Sequence, residues 1–286
     1  MTGESKALRP QRRVFEGAGL KLVADVVGDP GGQPVLLMHG GGQTRHSWAA
    51  ATVELGRRGY HAVSLDLRGH GESDWAPGGS YALTDYRDDV YALLKIFAAP
   101  PVMVGASLGG MTALAAIAES EEPIARGLVL VDIAPRIELD GARRIQAFMA
   151  ANLDGFETIE QVADAIAAYN PHRPRPEKTT GLMKNLRERD GRLYWHWDPA
   201  MLAHSKIDNP GLWDRLDRAT AAITVPTMLI KGAESELVSD KNVEYMRALM
   251  PQADYVDISG AGHMVAGDRN DAFNSAVFDF LAMHGL

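Results

Sequence analysis

The chain has 286 residues, 46% of them hydrophobic and 23% charged, an ordinary globular composition far from the disordered and membrane classes. Its formal net charge of −8 and isoelectric point near 5.6 provide no surplus of cations to grip a phosphate backbone or an anionic bilayer, so neither nucleic acid nor a membrane is an expected partner. Cysteine does not occur, which excludes disulfides, zinc–thiolate sites, iron–sulfur clusters and thiol nucleophiles, and fits a reducing cytoplasm.

Residues 1–11 read as a flexible arm, because Met1 to Arg13 lack the apolar centre of a secretory signal. Nowhere does the chain approach the roughly 18 apolar residues of a membrane span. From Lys21 to Ile133 short apolar runs alternate with longer amphipathic segments, the order expected of an α/β chain whose mostly parallel central sheet is flanked by helices. Strands are predicted over Leu20–Val27, Val35–Met38, His61–Leu65, Val102–Val104 and Leu128–Val131. Between them, helices are predicted over Trp48–Arg58, Thr84–Phe97 with Thr84 as N-cap, and Leu108–Glu119.

Past Pro135 the alternation stops. Residues 136–223 carry helical patterns, prolines at 171, 174 and 176, and the aromatic cluster Tyr194, Trp195, Trp197, which reads as a helical lid inserted after the sixth strand. The rhythm resumes with strands Thr227–Ile230 and Tyr255–Ile258 and helices Asp240–Met250 and Ala272–Met283. A core of residues 12–135 and 224–286 is therefore expected, interrupted by the lid.

Within the core, Gly105-Ala106-Ser107-Leu108-Gly109 follows an apolar strand and precedes a helix. A sharp strand-to-helix turn of this kind lifts the serine hydroxyl above the sheet, and small residues at 105 and 109 let the chain pass closely. The new helix points its free amides at the reacting centre. A second loop, His39-Gly40-Gly41-Gly42, leaves the strand ending at Met38, so the amides of Gly41 and Leu108, with Gly42 as a further candidate, are positioned to form an oxyanion hole. A phosphate-binding reading of the glycines is disfavoured, since no Gly-Lys-Ser/Thr follows and no ribose-binding acid ends the next strand.

A serine hydroxyl needs a base, most often histidine. Of nine histidines, His263 lies in the small-residue loop Gly260-Ala261-Gly262-His263-Met264 between the last strand and last helix, whereas His39 more naturally fixes the glycine loop. His46, His61, His70, His172, His204 and His284 occupy structural contexts. For the acid that orients the imidazole, Glu236 in the loop after Ile230 is the expected partner; Asp132, ending the previous core strand, is the alternative, with Glu234 a further candidate. Trp195, Trp197, Val238 and Met264 are the expected substrate contacts, although such aromatics also pack a lid onto a core. No cofactor is implied, and His196, Asp198 and His204 lack the supporting ligands of a metal site.

Together these motifs resemble the lid-bearing α/β-hydrolase superfamily, over nearly the whole chain from Val14 to Leu281. The resemblance rests on His39-Gly40-Gly41-Gly42-Gln43, Asp66-Leu67-Arg68-Gly69-His70-Gly71-Glu72-Ser73, the turn at Ser107, Val131-Asp132-Ile133-Ala134-Pro135 and Gly262-His263. It implies Ser107 as nucleophile, His263 as base and Gly41 and Leu108 as amide donors. It also disfavours haloalkane dehalogenase and epoxide hydrolase activity, since those members use an aspartate nucleophile. A small-molecule acyl substrate and a carboxylic-ester hydrolase are expected. A carbon–carbon bond hydrolase or lactonase would reuse the same groups, and a ligand receptor of this fold would bind without turnover.

Overall fold

The computed structural model describes residues 8–170, 175, 179–203 and 207–286. The strands are β1 (Gln11–Glu16), β2 (Lys21–Val27), β3 (Pro34–Met38), β4 (His61–Leu65), β5 (Val102–Ala106), β6 (Gly127–Val131), β7 (Leu186–Arg189), β8 (Arg192–Trp195), β9 (Thr227–Gly232) and β10 (Asp254–Ile258). Eight form one sheet in the order β1-β2-β4-β3-β5-β6-β9-β10, while β7 and β8 pair as a separate antiparallel ribbon. Pairing is antiparallel from β1 through β2 to β4 and parallel from β4 to β10.

The helices are α1 (Ala49–Arg57), α2 (Leu83–Leu93), α3 (Leu108–Ala118), α4 (Leu139–Ala150), α5 (Ile159–Tyr169), α6 (Ala200–Ala203), α7 (Pro210–Ala222), α8 (Asp240–Leu249), α9 (Val265–Asp268) and α10 (Asn270–Met283). Side chains alternate across the sheet with period two, so β3 sends Leu36 and Met38 into one core and Val35 and Leu37 into the other. The first core is closed by Tyr86 and Val90 of α2, Leu114 of α3 and Leu216 of α7; the second by Leu55 of α1 and Phe273 and Phe280 of α10. Burial on both faces explains why these strands are continuous apolar runs.

Several boundaries differ from the sequence reading. Gln11 opens β1 rather than closing an arm, because residues 11–16 find a complete antiparallel partner in β2; the rest of the proposed arm up to Ala7 lies outside the described residues. Thr84 is not the N-cap of α2. That position is Ala82, whose amide donates to the Asp85 carboxylate at 2.6 Å. Between β6 and β9 the chain forms α4 to α7, as the helical pattern predicts, but also the β7–β8 ribbon, built around a turn at Asp190 and Gly191, both with positive φ. Prolines 171, 174 and 176, His172 and His204 lie outside the described residues.

The topology positions the site. From β3 the chain moves to β4 on one side, then crosses to β5 on the other. The loops leaving β3 and β5 therefore part company at a switch point, the crevice where open α/β sheets receive ligands.

Candidate active site

Ser107 occupies the turn between β5 and α3 with φ 45° and ψ −112°, a conformation that side chains rarely adopt and that persists only where surroundings enforce it. The enforcement is visible. A Cβ on residue 105 would sit 2.5 Å from the Gly109 carbonyl oxygen, and one on residue 109 would sit 2.3 Å from that of Met38. Glycine is thus required at both places by close approach of backbone. The Gly109 amide donates to the His39 carbonyl at 3.2 Å, tying the turn to the glycine loop, and a Cβ on Gly40 would touch the Ser107 Cβ at 3.3 Å.

Ser107, Leu108 and Gly41 share the wall of a cavity of about 350 Å³, at the low end of the roughly 300–1,000 Å³ of small-molecule sites. Among the described residues the amides of Gly41 and Leu108 have no partner, so both are free to receive an oxyanion. Gly42 is not: its amide donates to Nε2 of His70 at 3.2 Å, which removes it as a candidate donor.

Three buried histidines hold that loop. His39 donates Nδ1–H to the Gly40 carbonyl at 2.8 Å and accepts the Leu67 amide on Nε2 at 3.0 Å. His70 donates Nδ1–H to the Arg68 carbonyl at 3.0 Å while accepting from Gly42. His196, brought in from the turn after β8, accepts the Gly71 amide on Nδ1 at 2.8 Å and donates Nε2–H to the Gly42 carbonyl at 3.2 Å. Each ring must be neutral to accept a backbone N–H, and burial enforces this, lowering the pKa of His39 to about 4, that of His70 to about 3 and that of His196 well below the usual range. With both nitrogens of His196 committed, and Asp198 accepting from Tyr81 and the Ala200 amide, these two are not poised as metal ligands. Among the described residues no cluster of three metal-binding side chains occurs.

His263 lies in the loop between β10 and α9. Its Nδ1 is 2.7 Å from the Asp132 carboxylate, and its ring borders a small pocket of about 50 Å³ with Ala106 and Val131, the residues just before Ser107 and Asp132. The partner of His263 is therefore Asp132, not Glu236. Asp132 ends β6 in a positive-φ bend (50°) with a fully buried side chain, and its carboxylate also accepts from the Ser235 hydroxyl at 2.6 Å and the Gly232 amide at 3.2 Å. The loop after β9 folds beneath Asp132 to make those bonds. Glu236 emerges from the far side of that loop, half exposed, and pairs with Arg144 of α4 at 2.6 Å. Glu234 has an amide bonded to the Ala261 carbonyl and no side-chain contact with His263.

The expected substrate contacts are also redistributed. Trp195 and Trp197 stack on each other at 4.9 Å between centroids, and neither borders the large cavity. They pack among Phe148 and Phe156, and Trp197 donates Nε1–H to the Met149 carbonyl. Val238 is wholly buried, and its neighbour Leu237 reaches the cavity instead; Met264 borders only the small pocket at His263. What the cavity wall does contain is Tyr86, Met111, Ile137, Ile145, Met149 and Trp213, residues that lay unmarked inside ordinary helical patterns. Trp195→Ala is accordingly expected to lower stability by about 3 kcal/mol, read by denaturant unfolding, with little change in acyl preference. A shifted preference at unaltered stability would contradict the packing role.

Residues 33–269 match the family described as alpha/beta hydrolase fold. Among curated proteins the chain is similar to the esterase Rv0045c of Mycobacterium tuberculosis, 30% identical over 244 residues that span 82% of this chain and 78% of that protein. An sn-1-specific diacylglycerol lipase of Mus musculus is 31% identical over 87% of this chain and 80% of its own length. Among solved structures, E-2-(acetamidomethylene)succinate hydrolase superposes with a TM-score of 0.85 at 25% identity, covering 96% of this chain and 100% of that one.

Proposed function

The chain belongs to the alpha/beta hydrolase family, and from that premise we propose that it is a serine hydrolase of carboxylic esters working through an acyl-enzyme on Ser107, with His263 as general base and Asp132 as the acid that orients it. The observation that carries this reading is the 2.7 Å bond between His263 Nδ1 and a buried carboxylate at the end of the strand next to the Ser107 strand. A carboxylate on Nδ1 fixes the tautomer that leaves Nε2 as the proton acceptor and stabilises the imidazolium formed when the serine proton is taken.

The reaction runs in two halves. Ser107 Oγ attacks the ester carbonyl as His263 takes its proton, and the oxyanion of the tetrahedral intermediate is received by the amides of Gly41 and Leu108. Collapse expels the alcohol, which regains the proton from His263; water then repeats the sequence on the acyl-enzyme and releases the acid. The low exposure of Asp132 keeps its charge unscreened where the imidazolium develops.

Residues 136–223 act as a lid. Support comes from the cavity wall, where Ile137 just before α4, Ile145 and Met149 from α4 and Leu212 and Trp213 from α7 face Leu83 and Met111 of the core. Apolar walls on both sides suit an apolar acyl chain and keep bulk water from the intermediate.

The test is covalent labelling. A fluorophosphonate probe is expected to modify Ser107, located by mass spectrometry, and the enzyme to release nitrophenol from short and medium acyl esters; Ser107→Ala is expected to remain folded and take no label. Labelling at another residue in folded protein, with Ser107 untouched, would remove Ser107 as nucleophile.

A further inference from the structure

The large cavity is apolar except at a few points, and nearly all of those are already satisfied. Tyr81 donates its hydroxyl to Asp198 at 2.6 Å and accepts from the Ala76 amide. Arg215 is held by both carboxylate oxygens of Glu119. Asn209 caps α7 through the Gly211 amide and is exposed, and Gln146 has a partner of its own. Ser107 is reserved for the chemistry proposed above.

Tyr86 differs. It lies on the first turn of α2, only 3% exposed, and forms part of the cavity wall. Its ring is 6.4 Å from that of Tyr81, yet its hydroxyl hydrogen bonds to no described residue. That oxygen is not among the buried polar atoms sealed off without a partner, so a phenol on this cavity wall is open to form a hydrogen bond with a molecule that fills the cavity and carries an oxygen in the right place. Burial and the nearby Tyr81 raise its pKa, so the group stays a neutral O–H that can both donate and accept.

We propose that Tyr86 is a specificity-determining residue, reading a hydroxyl or keto oxygen carried on the acyl chain of the substrate, remote from the ester carbonyl. The inference rests on the ester-hydrolase reading of the same cavity and narrows it: the preferred acyl group is an apolar chain bearing one internal oxygen, not a plain fatty acyl group. The cations near this wall are all paired, Arg68 with Asp89 and Arg215 with a Glu119 that it shares with Arg87, so a second carboxylate on the chain is not what the wall is built to receive.

The experiment compares p-nitrophenyl octanoate with a series of octanoates in which a hydroxyl or keto group is moved along the chain. The expected result is a maximum in kcat/KM at one chain position, with the ratio over plain octanoate falling about tenfold in Tyr86→Phe. A ratio unchanged by Tyr86→Phe, or no chain position preferred by the wild type, would overturn the proposal. Calorimetric binding of the corresponding free acids to the Ser107→Ala protein separates the two readings. Preference for the oxygenated acid that is lost on adding Tyr86→Phe supports the subsite even if no ester is turned over, whereas equal binding of plain and oxygenated acids overturns it even if esters are cleaved.

Discussion

Asp132→Asn is expected to lower kcat by about 10⁴ while Glu236→Gln changes it by no more than a few-fold. The contrast follows from where the two carboxylates lie. Asp132 is fully buried and bonded to His263, Ser235 and the Gly232 amide; an amide there presents the wrong group to Nδ1, disfavours the productive tautomer and leaves the imidazolium without its counter-charge. Glu236 forms an exposed pair with Arg144, and such pairs contribute at most about 1 kcal/mol. Steady-state kinetics on a nitrophenyl ester, with circular dichroism to establish that each variant is folded, reads the difference. The opposite ranking would show that the observed His263 to Asp132 contact is not the one used in turnover.

The second large effect is on stability in mild acid. In the unfolded chain His39, His70 and His196 take up protons near pH 6.5, whereas in the folded chain burial, helped by Arg45 beside His39 and by the neighbouring histidines beside the other two, holds His39 at about 4, His70 at about 3 and His196 well below the ordinary range. Between those limits the unfolded state binds more protons, so stability is fully present above about pH 6.5 and is lost as the pH falls toward 4. His39 alone accounts for about 3 kcal/mol over that span, and each histidine adds a slope of about 1.4 kcal/mol per pH unit. His46 and His61, also lowered by burial, act in the same direction. Denaturant unfolding at a series of pH values from 7 to 4.5, above the range where most carboxylates titrate, is expected to show this steep decline. A flat profile would mean that the three rings take up protons in the folded protein as readily as in the unfolded chain. Esterase activity is expected to fail over the same range as the fold and not before it, because the neutral rings of His70 and His196 keep hold of the Gly42 and Gly71 amides until the chain unfolds.

Most of the framework was legible in the sequence because it depends on local pattern. Strands buried on both faces must be short apolar runs, and the seven strands predicted from β2 to β10 fall within two residues of their observed limits. The turn at Ser107 is equally local, since a strand, two close-approach glycines and a helix start are all contiguous. The missed elements lack such a pattern: β1 is almost wholly exposed, and the β7–β8 ribbon is four residues a side, too short for alternation to emerge from a helical context.

The acid could not be assigned in the same way. Asp132 and Glu236 follow adjacent parallel strands, and both precede His263 while following Ser107, so strand order and chain order permit either. The choice was made by the loop after β9, which turns under the sheet edge to give Gly232 N–H and Ser235 Oγ–H to Asp132 and thereby throws Glu236 outward to Arg144. Likewise His39 and His70 each look structural when taken singly and the context of His196 assigns it no role, and their joint grip on one glycine loop exists only because three segments far apart in the chain converge. Which side of α2 carries Tyr86 into the cavity, and that Leu237 rather than Val238 reaches it, were set by packing against residues distant in sequence. A sequence fixes the chemistry each residue brings and the periodicity of its element; the partner of a loop side chain depends on how that loop satisfies its own backbone, and only the assembled sheet and insertion decide that.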